Sequence, residues 1–498
     1  MQEPLNFRCA ISDLVVKVIQ ETYQTLPKNG KPIKRDDGRT EFTILAGIVL
    51  IDKTAHDDNH KEENEGKGYT TLCPSLATGM RCLPQEKLSL QGDLLHDSHA
   101  EVLVKRGFRL WLYEELKRSY EIGIGSAWIN RPSDSKDHFS LKKSVQVFFY
   151  VSTLPCGDAS MLLTSQQVSE QSRPIKGPEE SISSEFSIEY QKSISKSLGT
   201  LHVSRGRLGF DQPIGKLRTK PGRIDSPLST SHSCSDKLAL WNVIGLQGAL
   251  GSSILQPIHI SGYVFGTCDV SSQLDLQTLH SSLRYALIDR VKAYLPADHC
   301  PPEIWFTFQD FEFSQKSVAK ATGTSPELND RVVSTISRSL SDLHYTFIGL
   351  SFVSGYGTEV IDRHGSRQGA PKKRRAPESP LSPKTRFDFW PLSDFCVGIF
   401  QRSRLSKLEL YRRYTDTLTF LGLRTDHPTK SYNQAKHPQI SENEQNSLTQ
   451  RVLEYQTRKS LLRDLPDAAF YGWIIHGARW ENFDIEGRIM SRTEVMET

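Results

Sequence analysis

The sequence predicts an α/β layered fold. Apolar runs of strand length lie at 42–51, 145–151 and 258–267, and helical spacing of apolar residues follows both Ser98 and Cys234. The order strand, candidate ligand side chain, helix recurs along the chain, which places chemically active residues at helix N-termini between layers.

Taken in order, residues 7–24 read as an amphipathic helix and 42–51 (FTILAGIVLI) as a buried strand. Residues 56–67, rich in His, Asp, Glu and Asn, read as a loop. The helix starting near Ser98 carries Val102, Leu103, Leu110, Trp111 and Leu116 at helical spacing. Val145, Val147, Phe149 and Val151 alternate as in a strand and run into Pro155-Cys156. A further helix carries Leu238, Trp241, Ile244 and Leu250, and a strand follows at 258–267. Helical patterning returns at 405–421 and 453–465, and Trp473 and Ile475 fall in a strand-like segment. Residues 164–198 (Ser, Gln, Glu, Lys) and 354–386 (Gly, Pro, Ser) read as flexible inserts in a domain spanning 1–495.

Composition narrows the class. Lys and Arg number 62 against 58 Asp and Glu, a net +4, which alone selects no partner. Basic residues concentrate locally: Arg205, Arg207, Lys216, Arg218, Lys220 and Arg223 face one acid, Asp211. Such a run reads either as a phosphate-attracting patch or as a solvated loop. Eight irregularly spaced cysteines in 498 residues do not form a disulfide framework. No secretory signal and no membrane span is evident, so an intracellular setting is expected, in the nucleus, the cytoplasm or both. The run Pro371–Arg375 (PKKRR) reads as a nuclear-import signal or a solvated loop tip.

Three short motifs carry the chemistry: His99-Ala100-Glu101, Pro155-Cys156-Gly157-Asp158-Ala159-Ser160 and Ser233-Cys234-Ser235-Asp236-Lys237. They offer one imidazole, two thiols and a carboxylate that need not bind metal. That is the donor set of a hydrolytic zinc site, with three protein ligands, a fourth position for water and an acid/base group nearby. Each motif alone has a plainer reading. Ser98-x-x-Glu101 is also a helix capping box, and a buried cysteine is most often structural. A thiol at a helix N-terminus, however, is stabilised as the thiolate a metal needs.

Together these blocks resemble the adenosine deaminases that act on RNA, most closely their tRNA-specific branch. The resemblance rests on Asp97 to Glu101, Pro155 to Ser160, Leu217-Arg218-Thr219-Lys220-Pro221-Gly222-Arg223, Ser233 to Lys237, Trp241 to Gly245 and Gln247-Gly248-Ala249. It covers residues 45–485 apart from the two inserts. Related nucleoside deaminases carry Pro-Cys-x-x-Cys; here the second thiol comes from afar, as in the RNA adenosine branch. The resemblance implies a cytidine-deaminase-like three-layer fold, with a mixed central sheet, helices on both faces and added C-terminal helices. It implies zinc on His99, Cys156 and Cys234, and Glu101 as proton shuttle in hydrolysis of adenosine to inosine. The implied partner is tRNA, at adenosine 37, immediately 3′ of the anticodon of alanine tRNA; no membrane and no obligate protein partner is implied. It also implies a buried inositol hexakisphosphate, with Lys105, Arg106, Lys220, Lys237, Lys407, Tyr455, Lys459 and Trp473 as its binding residues and Asp97 as a relay. Leu240 stands where relatives often carry arginine. A deaminase of other structured RNA, or a zinc-stabilised RNA-binding protein without turnover, are the alternatives.

Overall fold

The computed structural model describes residues 9–36, 40–53, 69–121, 125–132, 138–162, 203–205, 215–220, 229–267, 276–296, 299–322, 344–346, 348–368, 401–423, 431–439, 447–475 and 477–490. Its centre is a seven-stranded mixed sheet. In chain order the strands are β1 (Leu45–Asp52), β2 (Thr70–Thr78), β3 (Val145–Val151), β4 (Gly262–Gly266), β5 (Glu303–Thr307), β6 (Gly349–Val353) and β7 (Gly357–Ile361). Across the sheet they run β5-β4-β3-β1-β2-β6-β7. The β5–β4 and β4–β3 pairs are parallel and the remaining pairs antiparallel.

Both faces of the sheet are covered, which explains why β1 and β3 read as nearly unbroken apolar runs. In β1, Ala46, Ile48 and Leu50 face one core, while Leu45, Val49 and Ile51 face the other. β3 divides in the same way, Val147, Phe149 and Val151 against Phe148 and Tyr150. One face carries helix α1 (Ala10–Thr25), which buries Val15, Val16, Ile19 and Tyr23. Gly47 allows this approach, because a Cβ there would fall 2.1 Å from Ile19 Cδ1. The other face carries α2 (Ala100–Tyr120), α3 (Cys234–Ile244), α4 (Leu276–Leu287) and, outside α2, α5 (Lys407–Phe420). Helix α6 (Ser447–Leu461) closes the C-terminal part. The α/β layering therefore stands, with helices on both faces.

Several local expectations differ. Residues 357–361, inside the expected insert 354–386, form edge strand β7; Gly355, with φ of +84°, lies in the hairpin turn before it, and Gly357, with φ of +70°, begins the strand. The glycines that suggested an insert are turn residues. Residues 369–386, with Pro371–Arg375, and residues 164–198 lie outside the described residues. Trp473 and Ile475 lie in turn and irregular backbone, not in a strand. No described helix is long and apolar enough to cross a membrane.

Candidate active site

The site forms where β2 and β3 end. After β2, Gly79 adopts φ +152° and passes under Ser98, whose carbonyl oxygen would lie 2.2 Å from any Cβ. Met80–Cys82 then pairs antiparallel with Asp97–His99, and the Ala100 amide donates to the Gly79 carbonyl at 2.9 Å. His99 is thereby delivered at the start of α2. His99 itself is the N-cap, and its side chain makes no cap hydrogen bond. The capping-box reading of Ser98 and Glu101 does not hold, because Ser98 is still in the strand ladder with Arg81. The imidazole is left available for other work.

Cys156 follows β3. Gly157 turns the chain with φ +104°, packed so closely that a Cβ would fall 2.2 Å from Ser233 Oγ. Cys234 is the first residue of α3, behind an N-cap at Ser233 whose hydroxyl accepts from the Asp236 amide at 3.2 Å. The Cys234 amide, one of the unpaired donors of the helix start, points at Cys156 Sγ at 3.3 Å.

These elements bring the three predicted ligands together. His99 Nδ1 lies 3.7 Å from Cys234 Sγ and 3.9 Å from Cys156 Sγ, and all three donor atoms lie within 4.8 Å of one another. Hydrogen bonding with Cys234 holds the Cys156 thiol well below its ordinary range against the opposing effect of burial, with Lys220 and His99 adding to the depression. Burial and the neighbouring Cys156 push the Cys234 thiol up. The pair thus favours one thiolate, at Cys156. A single cation between them would favour both. One imidazole and two thiols within 4.8 Å of one another are a donor set that fits zinc.

Glu101 sits in the first turn of α2, 1% exposed, and its Oε2 has no hydrogen-bond partner among the described residues. Burial raises its pKa; His99 opposes the rise and Cys156 adds to it. A buried carboxyl with an unused oxygen beside a metal donor set is equipped to hold and release a proton.

Behind the ligands, Asp97 gathers charge. Lys220 Nζ donates to its two oxygens at 3.1 and 2.8 Å and to Cys234 Sγ at 3.1 Å. Ser231 Oγ, Lys237 Nζ and the His99 amide also donate to Asp97. Burial alone would raise the Asp97 pKa, but Lys220 and Lys237 hold it well below the carboxylate range. Arg218 and Lys220, read in the sequence as part of a phosphate-attracting or solvated run, are instead buried and ion-paired, with side chains 1% and 3% exposed. Their spacing hid this, because each carboxylate partner is more than fifty residues away in sequence.

A second cationic cluster lies among α2, α5, α6 and the C-terminal turns. Burial, then Arg109, Lys459, Arg106 and Lys237, push Lys105 well below its ordinary pKa; its Nζ rests 4.4 Å over the Trp241 ring. Burial and Arg109 lower Arg106 to about 10. Burial, Lys436 and Arg463 lower Lys459 to about 7. Lys407 and Lys436 share the carboxylate of Glu481, at 3.1 and 2.7 Å. Tyr455 is buried in electrostatic contact with Arg109. The structure thus groups Lys105, Arg106, Lys407, Tyr455 and Lys459. It sets Lys220 and Lys237 on Asp97 and places Trp473 in a stack with His232, ring centroids 4.0 Å apart. Leu240 is buried in the main apolar core. Arg109, Lys436 and Glu481 went unread in the sequence. Arg109 was accessible, three and four residues after Arg106 and Lys105 on one helical face; Lys436 and Glu481 carried no local signal.

A family model described as the adenosine-deaminase (editase) domain matches residues 75–382, more than half of the chain. The chain belongs to the adenosine-deaminase (editase) domain family. Among curated proteins, this editase-domain chain is 32% identical over 256 residues to tRNA-specific adenosine deaminase 1 of Schizosaccharomyces pombe, covering 50% of the chain and 56% of that protein. It is 34% identical over 274 residues to the protein of the same name in Saccharomyces cerevisiae, covering 54% and 62%. It is 31% identical over 275 residues to the double-stranded RNA-specific adenosine deaminase of Mus musculus, covering 49% of the chain and 20% of that protein. The matched region thus spans about three fifths of the tRNA-specific relatives' length and a smaller share of the duplex-specific one.

Proposed function

We propose that this chain deaminates adenosine to inosine hydrolytically in tRNA, at adenosine 37 beside the anticodon of alanine tRNA, using zinc held by His99, Cys156 and Cys234. One observation carries the reading. Three donors, scattered from residue 99 to 234, meet within 4.8 Å beside the buried carboxyl oxygen of Glu101, which has no partner among the described residues. The names of the tRNA-specific relatives support the choice of substrate.

Zinc bound there would supply Lewis acidity, lowering the pKa of water from about 16 toward 7. The chain's own groups do the rest. Glu101 accepts the proton of the attacking water and delivers it to adenine N1 as water adds at C6. The same carboxylate then takes the proton of the new C6 hydroxyl and passes it to the exocyclic amine, and ammonia leaves as the C6 carbonyl of inosine forms. Burial raises the Glu101 pKa and so suits both directions of transfer. Lys220 donates to Cys234 Sγ and Asp97 Oδ1 accepts from the His99 amide, so the ligands are oriented from behind.

The second cluster fits inositol hexakisphosphate. Lys105, Arg106, Arg109, Lys407, Lys436 and Lys459 converge with Glu481 as a carboxylate among them, and mutual repulsion helps depress Lys105 and Lys459. A polyanion supplies the missing countercharge. Lys237 joins the two sites, because it contacts Asp97 and acts on Lys105.

Purified protein incubated with alanine tRNA, followed by mass analysis of nucleosides, tests the reading. Wild type is expected to form inosine. Glu101→Gln should lose about 10²–10⁴-fold in rate while retaining one zinc. Inosine from Glu101→Gln at the wild-type rate would remove Glu101 from its role, and no inosine from zinc-loaded wild type would remove the activity.

A further inference from the structure

The two thiol-bearing segments do not rely on each other alone for their spacing. Each cysteine is followed two residues later by a fully buried carboxylate, Asp158 after Cys156 and Asp236 after Cys234. One residue holds both. Arg218 Nε donates to Asp158 Oδ1 at 2.7 Å, and the Arg218 amide donates to Asp236 Oδ2 at 3.0 Å. The Arg218 carbonyl accepts from the Ser233 amide at 2.7 Å, at the N-cap just before Cys234. Asp236 is also held by Ser233 Oγ at 2.7 Å and by Arg290 at 2.9 Å. The remaining oxygen of Asp158 accepts from the Gly215 amide. Ser235 adds a direct seam, its amide and hydroxyl donating to the Cys156 carbonyl at 3.0 and 2.9 Å.

We propose that Arg218 is a positioning residue that sets the separation of Cys156 and Cys234, through its side chain on one segment and its backbone on the other. This rests on the zinc reading above for its consequence, though not for its geometry. A buried ion pair is weak evidence for net stability, because desolvation offsets the attraction. What the guanidinium adds is direction. Its bond to Asp158 is referred to the same backbone that fixes Asp236 and Ser233, so the two sulfurs are placed relative to one residue. Metal sites require donor distances within about 0.2 Å, and a small drift between the segments is enough to loosen the grip.

The test compares wild type with Arg218→Gln and Arg218→Lys. Zinc transfer to a chromogenic chelator should be about 10–100-fold faster in Arg218→Gln, and the thiolate-to-metal bands of the cobalt derivative should shift. Arg218→Lys, which keeps the charge but not the in-plane Nε donor, should fall between. A variant with lowered melting temperature but zinc release within twofold of wild type and unshifted cobalt bands would show a merely structural role and overturn the proposal. If Arg218→Gln does not fold, the neutral pair Asp158→Asn/Arg218→Gln carries the same two outcomes. Metal-free full-length chain separates this inference from the zinc reading. Phenylarsine oxide condenses with two adjacent thiols, forming two As–S bonds and releasing one water. Capture across Cys156 and Cys234, located by mass, should be at least tenfold slower in the Arg218 variants. Capture by a wild type that holds no zinc would sink the zinc reading alone; equal capture rates would sink the spacing inference.

Discussion

Replacing Lys220 with methionine tests the electrostatics behind the ligands. Lys220 is 3% exposed and lies 2.8 Å from Asp97 Oδ2. At an effective dielectric of about 20, unit charges at that distance attract by about 6 kcal/mol. Not all of this is lost on substitution. Lys237 and Ser231 stay on the same carboxylate oxygen, and the buried ammonium no longer has to be desolvated. Breaking one side of a buried pair costs about 3–5 kcal/mol in such settings, and we expect Lys220→Met to fall in that range. For a chain of this size the melting temperature should drop by on the order of 5 °C. Cys234 Sγ also loses its 3.1 Å donor, so zinc affinity should fall by about tenfold or more. The pH dependence has a definite sign. Lys220 is raised in the folded chain, with Asp97 the leading charge opposing its burial, so its contribution is present below the unfolded lysine pKa and fades only at high pH. Asp97 is depressed, so its contribution is present above the unfolded carboxylate pKa and lost as pH falls below about 4. Wild type should therefore lose more stability than Lys220→Met between pH 5 and strong acid. Thermal denaturation across pH and zinc release to a chelator check both effects. A Lys220→Met protein as stable as wild type at pH 7, releasing zinc at the wild-type rate, would refute the reasoning.

The cationic cluster predicts a second pH effect. Lys459 sits at about 7 in the fold, below its unfolded value, so without a polyanion stability should rise as pH climbs from about 7 to 10. Inositol hexakisphosphate should stabilise the protonated cluster and flatten or reverse that slope, and flat profiles with and without it would count against the cage. Gly157→Ala combines a left-handed φ with a Cβ 2.5 Å from Ser233 Cβ; it should cost about 2 kcal/mol or more and yield protein with less than one zinc, read by metal analysis. Tyr263→Phe removes the buried hydroxyl that donates to Asn242 Oδ1 at 2.7 Å. It should cost about 1–3 kcal/mol in denaturant melts and leave zinc binding unchanged, since this bond joins β4 to α3 away from the ligands.

The layering was readable because β1 and β3 are buried on both faces and their apolar runs are nearly unbroken, while α2 and α3 carry helical spacing. The ligand trio was readable because each donor lies at the junction of two such elements. What escaped the sequence depends on distance along the chain. Whether Ser98 or His99 caps α2 is decided by Met80–Cys82, which draws Asp97–His99 into a ladder before the helix starts. Whether Lys220 meets a phosphate or a buried carboxylate and sulfur is decided by Asp97 and Cys234, which the local sequence around 220 does not contain. Glycine-rich residues 354–357 suggested an insert because a hairpin turn and a flexible segment share the same composition.

The buried charges follow one pattern. Asp97 is shared by Lys220 and Lys237, Glu481 by Lys407 and Lys436, and Arg218 holds Asp158 while its backbone holds Asp236. In each case a single residue joins segments that are far apart in sequence, and two of the three do so directly behind the thiols. An apolar interior could supply comparable stability at those positions. It could not hold two sulfurs and an imidazole at fixed separation while leaving the Glu101 oxygen without a partner among the described residues. The charged groups behind the thiols are therefore best understood as orientation of the donor set, and variants among them should affect metal retention more than melting temperature as they approach residues 156 and 234.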